Sequence, residues 1–458
     1  MDLRRKIARL RGVTPNDAAE APTVEAPVVE TPVIEAPVIE AVVERAPDDL
    51  RARLRAAAAK TKRKRAKADA ARPVVEEAAW PFVTEESEGA VTQVATRTYD
   101  GDAKHGAVPL KRCLDVAGDH AATLALDPAL SAFDARRALF LDTETTGLSG
   151  GTGTLAFLVG MAWFEGDSLR VEQLLLADLE AEEAMLSRVA ARIAAAGSLV
   201  TFNGRTFDLP LLRSRFVMAR VKPPVEPPHL DLLHAARRIY GARVERCALT
   251  TIERDVLGFE RVGDVDGGEI PALFQRFLRQ GARARHGLLP VIEHNAWDLA
   301  ALAALTGELG ARLARTDAEG RFEAPDLVGL ARTTQRAGDA DRAVLLATEA
   351  AAMGAARGDD GVARDAHVLA ARIHKRARDA GAMCARLLDA LSHAPDDKSI
   401  HLELARCYER SLGDAKRALE HALLATGAED PLPHARRIAR LRKKIKTRPP
   451  EQLRLPGM

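Results

Sequence analysis

Asp142 and Glu144 stand two residues apart at the end of the apolar run Ala138–Leu141, in the stretch ALFLDTETTGL. In a β-strand, side chains two apart share a face, so both acids would point at one spot beside a buried sheet. A third acid, Asp208, follows the apolar segment SLVTF (198–202) and the tight-turn pair Asn203-Gly204. It falls in the first turn of the next helix, from which it can point back to the sheet edge. The fourth, Asp298, comes four residues after His294 in LLPVIEHNAWDLAALAALTGELG, so the two stack on one face of a mostly apolar helix. A lone DxE arises often by chance, and a buried imidazole is often simply neutralised by a neighbouring carboxylate. Three separate segments that each deliver acids at the end of an apolar element make a stronger case.

Four converging carboxylates repel one another and resist ionisation unless cations lie among them. Oxygen ligands favour hard divalent ions, Mg²⁺ or Mn²⁺, over zinc. Two such ions about 3.5–4 Å apart can hold the attacking and leaving oxygens of an in-line displacement at phosphorus. The chemistry implied is hydrolysis of a phosphodiester, and the partner implied is nucleic acid.

The elements that must position these acids are strands at 138–144, 155–164 and 169–177, a helix near 181–196, a strand at 198–202, and then mostly helices. Three strands joined by short turns, followed by helix, strand and helices, predict a mixed sheet covered by helices, a ribonuclease-H-like α/β core. Beyond Ala324 the pattern is all helical. Ala371 and Ala405 are 34 residues apart and Ala331 and Ala371 are 40 apart, each early in a helix next to a Gly-Asp-type turn, which is the logic of tetratricopeptide-like helical hairpins. The last helix, HARRIARLRKKIKTR, is basic. At the other end, a proline-bearing five-residue repeat at 21–40 and the basic block 60–73 read as an extended tail. The organisation expected is therefore a disordered low-complexity tail over 1–98, an α/β domain over 99–312 and helical repeats over 323–447.

Bulk properties exclude other classes. The 458 residues exceed one typical core, and the formal charge of +2 averages over well-separated acidic and basic stretches. Cys113, Cys247, Cys384 and Cys407 show neither paired nor zinc-ligand spacing, which fits a reducing cytoplasm. No apolar run is long enough to span a bilayer, so no membrane partner is expected.

Three of these stretches resemble the motifs of the DEDD exonucleases of the DnaQ-like, ribonuclease-H-like superfamily: FLDTETTGL the first, TFNGRTFDLPLL the second and HNAWD the third. The span 99–312, with GGTGTLAFLVG, HLDLLHAARRIY and EIPALFQRFLRQG, is most similar to the YprB-like branch. The resemblance implies a 3′–5′ exonuclease using two metal ions held by Asp142, Glu144, Asp208 and Asp298, with Glu144 also orienting the attacking water. It further implies that Thr143 and Leu148, with Asn203 of the second motif, contact the substrate, and that a helicase is a candidate partner of the repeats. Members of the family carry a general base as Tyr four residues or His five residues before the last Asp. Here His294 takes the four-residue spacing; it is the expected base, and a role only in positioning Asp298 stays open beside it.

Other polar residues carry weaker expectations. Asp231, in HLDLLH with His229, reads first as a helix N-cap. The SGGTGT loop reads as a phosphate cradle or a plain hairpin turn, and Arg205, Arg213 and Arg215 as backbone-phosphate contacts or a solvated face. Two other functions fit the same fold: an endonuclease on structured substrates, and a nonenzymatic nucleic-acid-binding adaptor that uses the repeats as a scaffold.

Overall fold

The computed structural model describes residues 80–87, 90–147, 153–314 and 323–447. The proline-bearing repeat, the basic block 60–73, Leu148 and most of the SGGTGT loop lie outside the described residues. The strands are β1 (Val83–Ser87), β2 (Ala90–Tyr99), the short pair β3 (Lys104–His105) and β4 (Val108–Pro109), β5 (Ala138–Thr145), β6 (Ala156–Glu165), β7 (Ser168–Leu175), β8 (Ser198–Thr201) and β9 (His229–Asp231). Seven of them make one mixed sheet in the order β1-β2-β7-β6-β5-β8-β9. The pairs from β1 to β5 are antiparallel, and β5-β8 and β8-β9 are parallel. The sheet thus begins at Val83, upstream of the Tyr99 boundary expected from composition. β1 and β2 are polar strands at the sheet margin, and only the pairing of β2 with β7 reveals them.

Strand β5 sits where the sheet changes from antiparallel to parallel, and its alternation sorts its side chains. Leu139 and Leu141 enter one core with Leu158, Met161 and Leu174. Ala138 and Phe140 enter another, on the opposite face, with Ala162 and Val200. Asp142 and Glu144 continue the second series, as the spacing requires. Pairing with β8 ends at Phe140 opposite Val200, so the acid-bearing end of β5 runs past its parallel neighbour.

The 30-residue helix Arg285–Ala314 crosses from one core to the other. Val291 and Ile292 pack with the Leu141 side, whereas Leu299 and Leu302–Leu305 pack with the Phe140 side. His294, Asn295 and Asp298 occupy the crossing between them. At the far end of this helix the fully buried Arg312 binds Glu308 at 2.9 Å and Asp326 at 3.4 Å. Buried charges persist only when paired in this way.

Asp326 belongs to the first of the C-terminal helices, Ala324–Ala337, whose Leu327, Leu330 and Ala331 join the core of the sheet. The helices Ala340–Ala356, Asp360–Arg376, Ala380–His393, Lys398–Cys407, Ala415–Leu424 and Pro431–Thr447 follow. Ala331, Ala371 and Ala405, the small residues of the repeat pattern, are all buried. Asp339, Asp359, Asp379, Asp397 and Asp414 each cap the next helix by accepting from its first N–H groups. No helix among the described residues is long and apolar enough to cross a membrane, and the four cysteines are free.

The turns before three of these caps adopt the left-handed conformation, at Gly338 (φ 99°), Gly358 (φ 73°) and Gly413 (φ 69°). The turn before Asp379 places Arg378 there instead, exposed, at φ 59°. A side chain in this region is strained where glycine is not. Arg378→Gly is therefore expected to stabilise the full chain by roughly 0.5–1 kcal/mol. A urea midpoint that stays put or falls would contradict this.

Candidate metal centre

The four acids meet at the end of β5. Asp208 opens the helix Asp208–Met218. The loop before that helix is drawn in by Asp231, whose carboxylate accepts the Asn203 N–H at 2.7 Å and the Arg205 N–H at 3.1 Å. Asp231 also caps its own helix through Leu233 N–H. It is the N-cap that the sequence suggests and, in addition, the anchor of the second acidic segment. Asn203 takes φ 71°, and Gly204 sits so close to Thr201 that a Cβ there would overlap its side chain. Asn203 thus turns the chain, and no side-chain hydrogen bond from it to the acids is present among the described residues.

Each acid has its own support. Asn295 Nδ2 donates to Asp142 Oδ2 at 2.8 Å, and Gln173 Nε2 holds the Asn295 oxygen at 2.8 Å. Opposite Asp142 on β6 is Gly160, whose missing side chain makes room for Asn295. The Thr143 hydroxyl donates to Asp208 Oδ1 at 2.6 Å, so it is engaged within the site. Arg261, nearly buried, pairs with Asp298 Oδ1 and is itself held by Glu253 at 2.8 Å. Glu144 is 9% exposed, and its carboxylate receives no hydrogen bond among the described residues.

This packing shows in the acidities. Burial, with the charges of Asp298, Asp208 and Glu144, pushes Asp142 well above the usual carboxylate range. Burial also lifts Glu144 to about 8, with His294 opposing and Asp298 and Asp208 adding to it. Asp208 rises to about 6 through burial, restrained by its bonds from Thr143. Buried acids that resist ionisation have the electrostatics of a site that lacks its counter-charge.

His294 Nδ1 lies 2.7 Å from Asp264 Oδ1, and its Nε2 faces Asp298 Oδ2 at 3.4 Å and Glu144 Oε1 at 3.9 Å. Burial depresses its pKa, but the Asp264 bond and the Asp298 and Glu144 charges prevail and raise it to about 9. The ring thus acts as a charge partner of the acids. Cations among the acids would reverse the balance. The donor set therefore fits divalent metal: three ligand atoms, from Glu144, His294 and Asp298, lie within 4.8 Å of one another.

Several contributors escape sequence reasoning. Arg261 and Asp264 lie in ERVGDVDGGE, which has no recognisable pattern, and Gln173 in an ordinary strand. Asn295, between His294 and Asp298, was legible only as a polar residue in an apolar helix. Phe207 adjoins Asp208 and is 56% exposed, the one exposed aromatic residue among the described residues. In contrast, Arg213 pairs with Glu226, Arg215 with Glu182, and Arg205 donates to the His229 carbonyl. These arginines serve internal acceptors, since each has a buried or nearby oxygen within reach.

His229 supports the same loop through Thr201 at 2.8 Å, and its burial lowers its pKa to about 4 despite the Asp231 charge. A histidine protonated more readily unfolded than folded costs stability as pH falls through its window. The stability of the native chain, relative to His229→Asn, is expected to rise between about pH 4 and 6.5 by at most about 3 kcal/mol. Denaturant titrations at several pH values check this, and a flat or opposite difference would refute it.

Residues 139–309 match the family model described as RNase_H superfamily. The chain is also 38% identical over 168 residues to the uncharacterised protein YprB of Bacillus subtilis strain 168, an overlap of 36% of this chain and 40% of that protein. The chain thus spans well under half the length of the relative it matches. The matched segment holds all four acids and runs from β5 almost to the end of the long helix. Strand order and sequence match agree on a ribonuclease-H-like fold for residues 139–309.

Proposed function

We propose that this protein is a divalent-metal-dependent nuclease that hydrolyses phosphodiester bonds of nucleic acid, acting as a 3′–5′ exonuclease. The observation that carries the reading is the convergence of the buried Glu144, Asp208 and Asp298 with the partly buried Asp142, the first two and Asp142 raised in pKa, beside an exposed aromatic ring. When bound, a pair of Mg²⁺ or Mn²⁺ ions supplies the positive charge that an in-line displacement at phosphorus requires. Asp142 and Asp208 are held for that task by Asn295 and Thr143, and Asp298 by Arg261. Phe207 offers a face on which a nucleobase can stack.

The C-terminal helix supports a nucleic-acid partner. Pro431–Thr447 contains no acidic residue. Arg437 and Arg440 are tied to Glu409, while Arg436, Arg442, Lys443 and Lys446 are exposed without an ion pair among the described residues. Such a surface attracts phosphates. The helical hairpins are read as tetratricopeptide-like and as the docking face for a protein partner, a helicase by the family resemblance.

Incubation of 5′-labelled oligonucleotides with Mn²⁺ should give a ladder that shortens from the 3′ end, and Asp142→Asn should lose at least about a hundredfold in rate. Substrates blocked at both ends should survive; their cleavage would establish an endonuclease. An intact substrate panel with either ion would leave the adaptor reading. Phe207→Ala should weaken binding of a single strand by about 1–3 kcal/mol, roughly 5- to 150-fold. Unchanged binding would remove Phe207 from the substrate path.

A further inference from the structure

We infer that Glu144 Oε1, His294 Nε2 and Asp298 Oδ2 form a cation site of two carboxylates and one imidazole, selective for a transition-metal ion over Mg²⁺, with Asp264 as its positioning residue. This rests on the metal dependence proposed above and on nothing that concerns the substrate.

The first ground is geometric. His294 Nε2 lies among the candidate ligands, 3.4 Å from Asp298 Oδ2 and 3.9 Å from Glu144 Oε1. Ligands about 2.1 Å from one ion at a tetrahedral angle stand about 3.4 Å apart. The group is the one set of three such ligand atoms among the described residues, and neither Asp142 nor Asp208 belongs to it.

The ring is also prepared for this role. His294 Nδ1 faces Asp264 Oδ1 at 2.7 Å, with Arg261 Nη1 3.2 Å from the same nitrogen, which directs the remaining nitrogen into the cluster. A carboxylate behind a ligating histidine fixes its tautomer and orientation in the same way in metal centres generally. Arg261 occupies Asp298 Oδ1, so only Oδ2 faces the set. Arg261 also approaches Asp264 at 3.5 Å, tying the positioning acid to the same guanidinium. Glu144, whose side chain is 12% exposed and has no hydrogen-bond donor among the described residues, faces the ring as the cationic partner within reach.

The chemistry of the donors then sets the metal. Carboxylates alone suit Mg²⁺, whereas an imidazole ligand favours transition-metal ions such as Fe²⁺, Ni²⁺ and Zn²⁺, with Mn²⁺ the weakest binder of that series. One nitrogen among the ligands turns a hard site into a selective one. His294 is in this reading a ligand, and the proton of the attacking water passes to another acceptor.

The test uses the full chain, Mn²⁺ and no nucleic acid. Pulsed EPR of the Mn²⁺-loaded native chain should show ¹⁴N coupling, which no carboxylate can produce, and a hundredfold excess of Mg²⁺ should leave the signal in place. His294→Gln should abolish the coupling and lower Mn²⁺ affinity at least tenfold, and Asp264→Asn should lower affinity about 10- to 100-fold with the chain still folded by circular dichroism. Bound Mn²⁺ without ¹⁴N coupling, displacement by equal Mg²⁺, or no Mn²⁺ binding would each overturn the inference. Nitrogen coupling in a chain that cleaves nothing would uphold it and sink the nuclease reading alone.

Discussion

Four carboxylates cannot be gathered in a protein interior without a reason for each to stay. Desolvation and mutual repulsion both act against ionised acids at the end of β5, and the structure around them is arranged as a response. Asp142 is braced by Asn295, Asp208 by Thr143 and Asp298 by Arg261, while Glu144 is left facing His294. Each brace comes from a different element, so the site depends on the relative placement of sheet, helices and loop. Gly160 shows how tight that placement is, because any side chain there would overlap the amide that holds Asp142.

The braces are themselves supported. Arg261 is anchored by Glu253, which is fully buried and also binds His105 of the short β3-β4 pair at 2.7 Å. A chain of buried charges therefore runs from a small hairpin to the acid cluster. At the other end of the long helix, Arg312 joins Glu308 and Asp326 and ties the first C-terminal helix to the same core. Removing one member of such a network leaves its partner charged and unpaired, which is costlier than never having had the pair. The helix that carries His294 and Asp298 is thus fixed by ionic contacts at its middle, through Asp298, and near its C-terminal end, through Arg312, and by two apolar cores.

Much of this was legible in advance. Alternation in ALFLDTETT predicts the shared face of Asp142 and Glu144, because strand periodicity is a local property. The spacing of His294 and Asp298 predicts their stacking on one helix face for the same reason. Caps and turns of the C-terminal hairpins were likewise readable from Asp and Gly. What stayed hidden were the contacts between distant segments. Arg261 and Asp264 look like any loop charges, and Arg205, Arg213 and Arg215 look free to meet phosphate until Glu226, Glu182 and the His229 carbonyl are found beside them. The polar strands β1 and β2 gave no apolar signal, since they lie at the margin of the sheet.

The amino-acid order alone determined which acids exist and on which elements they ride, because residue type and helical or strand period are properties of short stretches. The tertiary structure decided which oxygens remain open, which way the His294 ring is turned and which aromatic ring reaches solvent. Those outcomes depend on groups up to 153 residues apart, as in the bond from Asn295 to Asp142, and no local period encodes them.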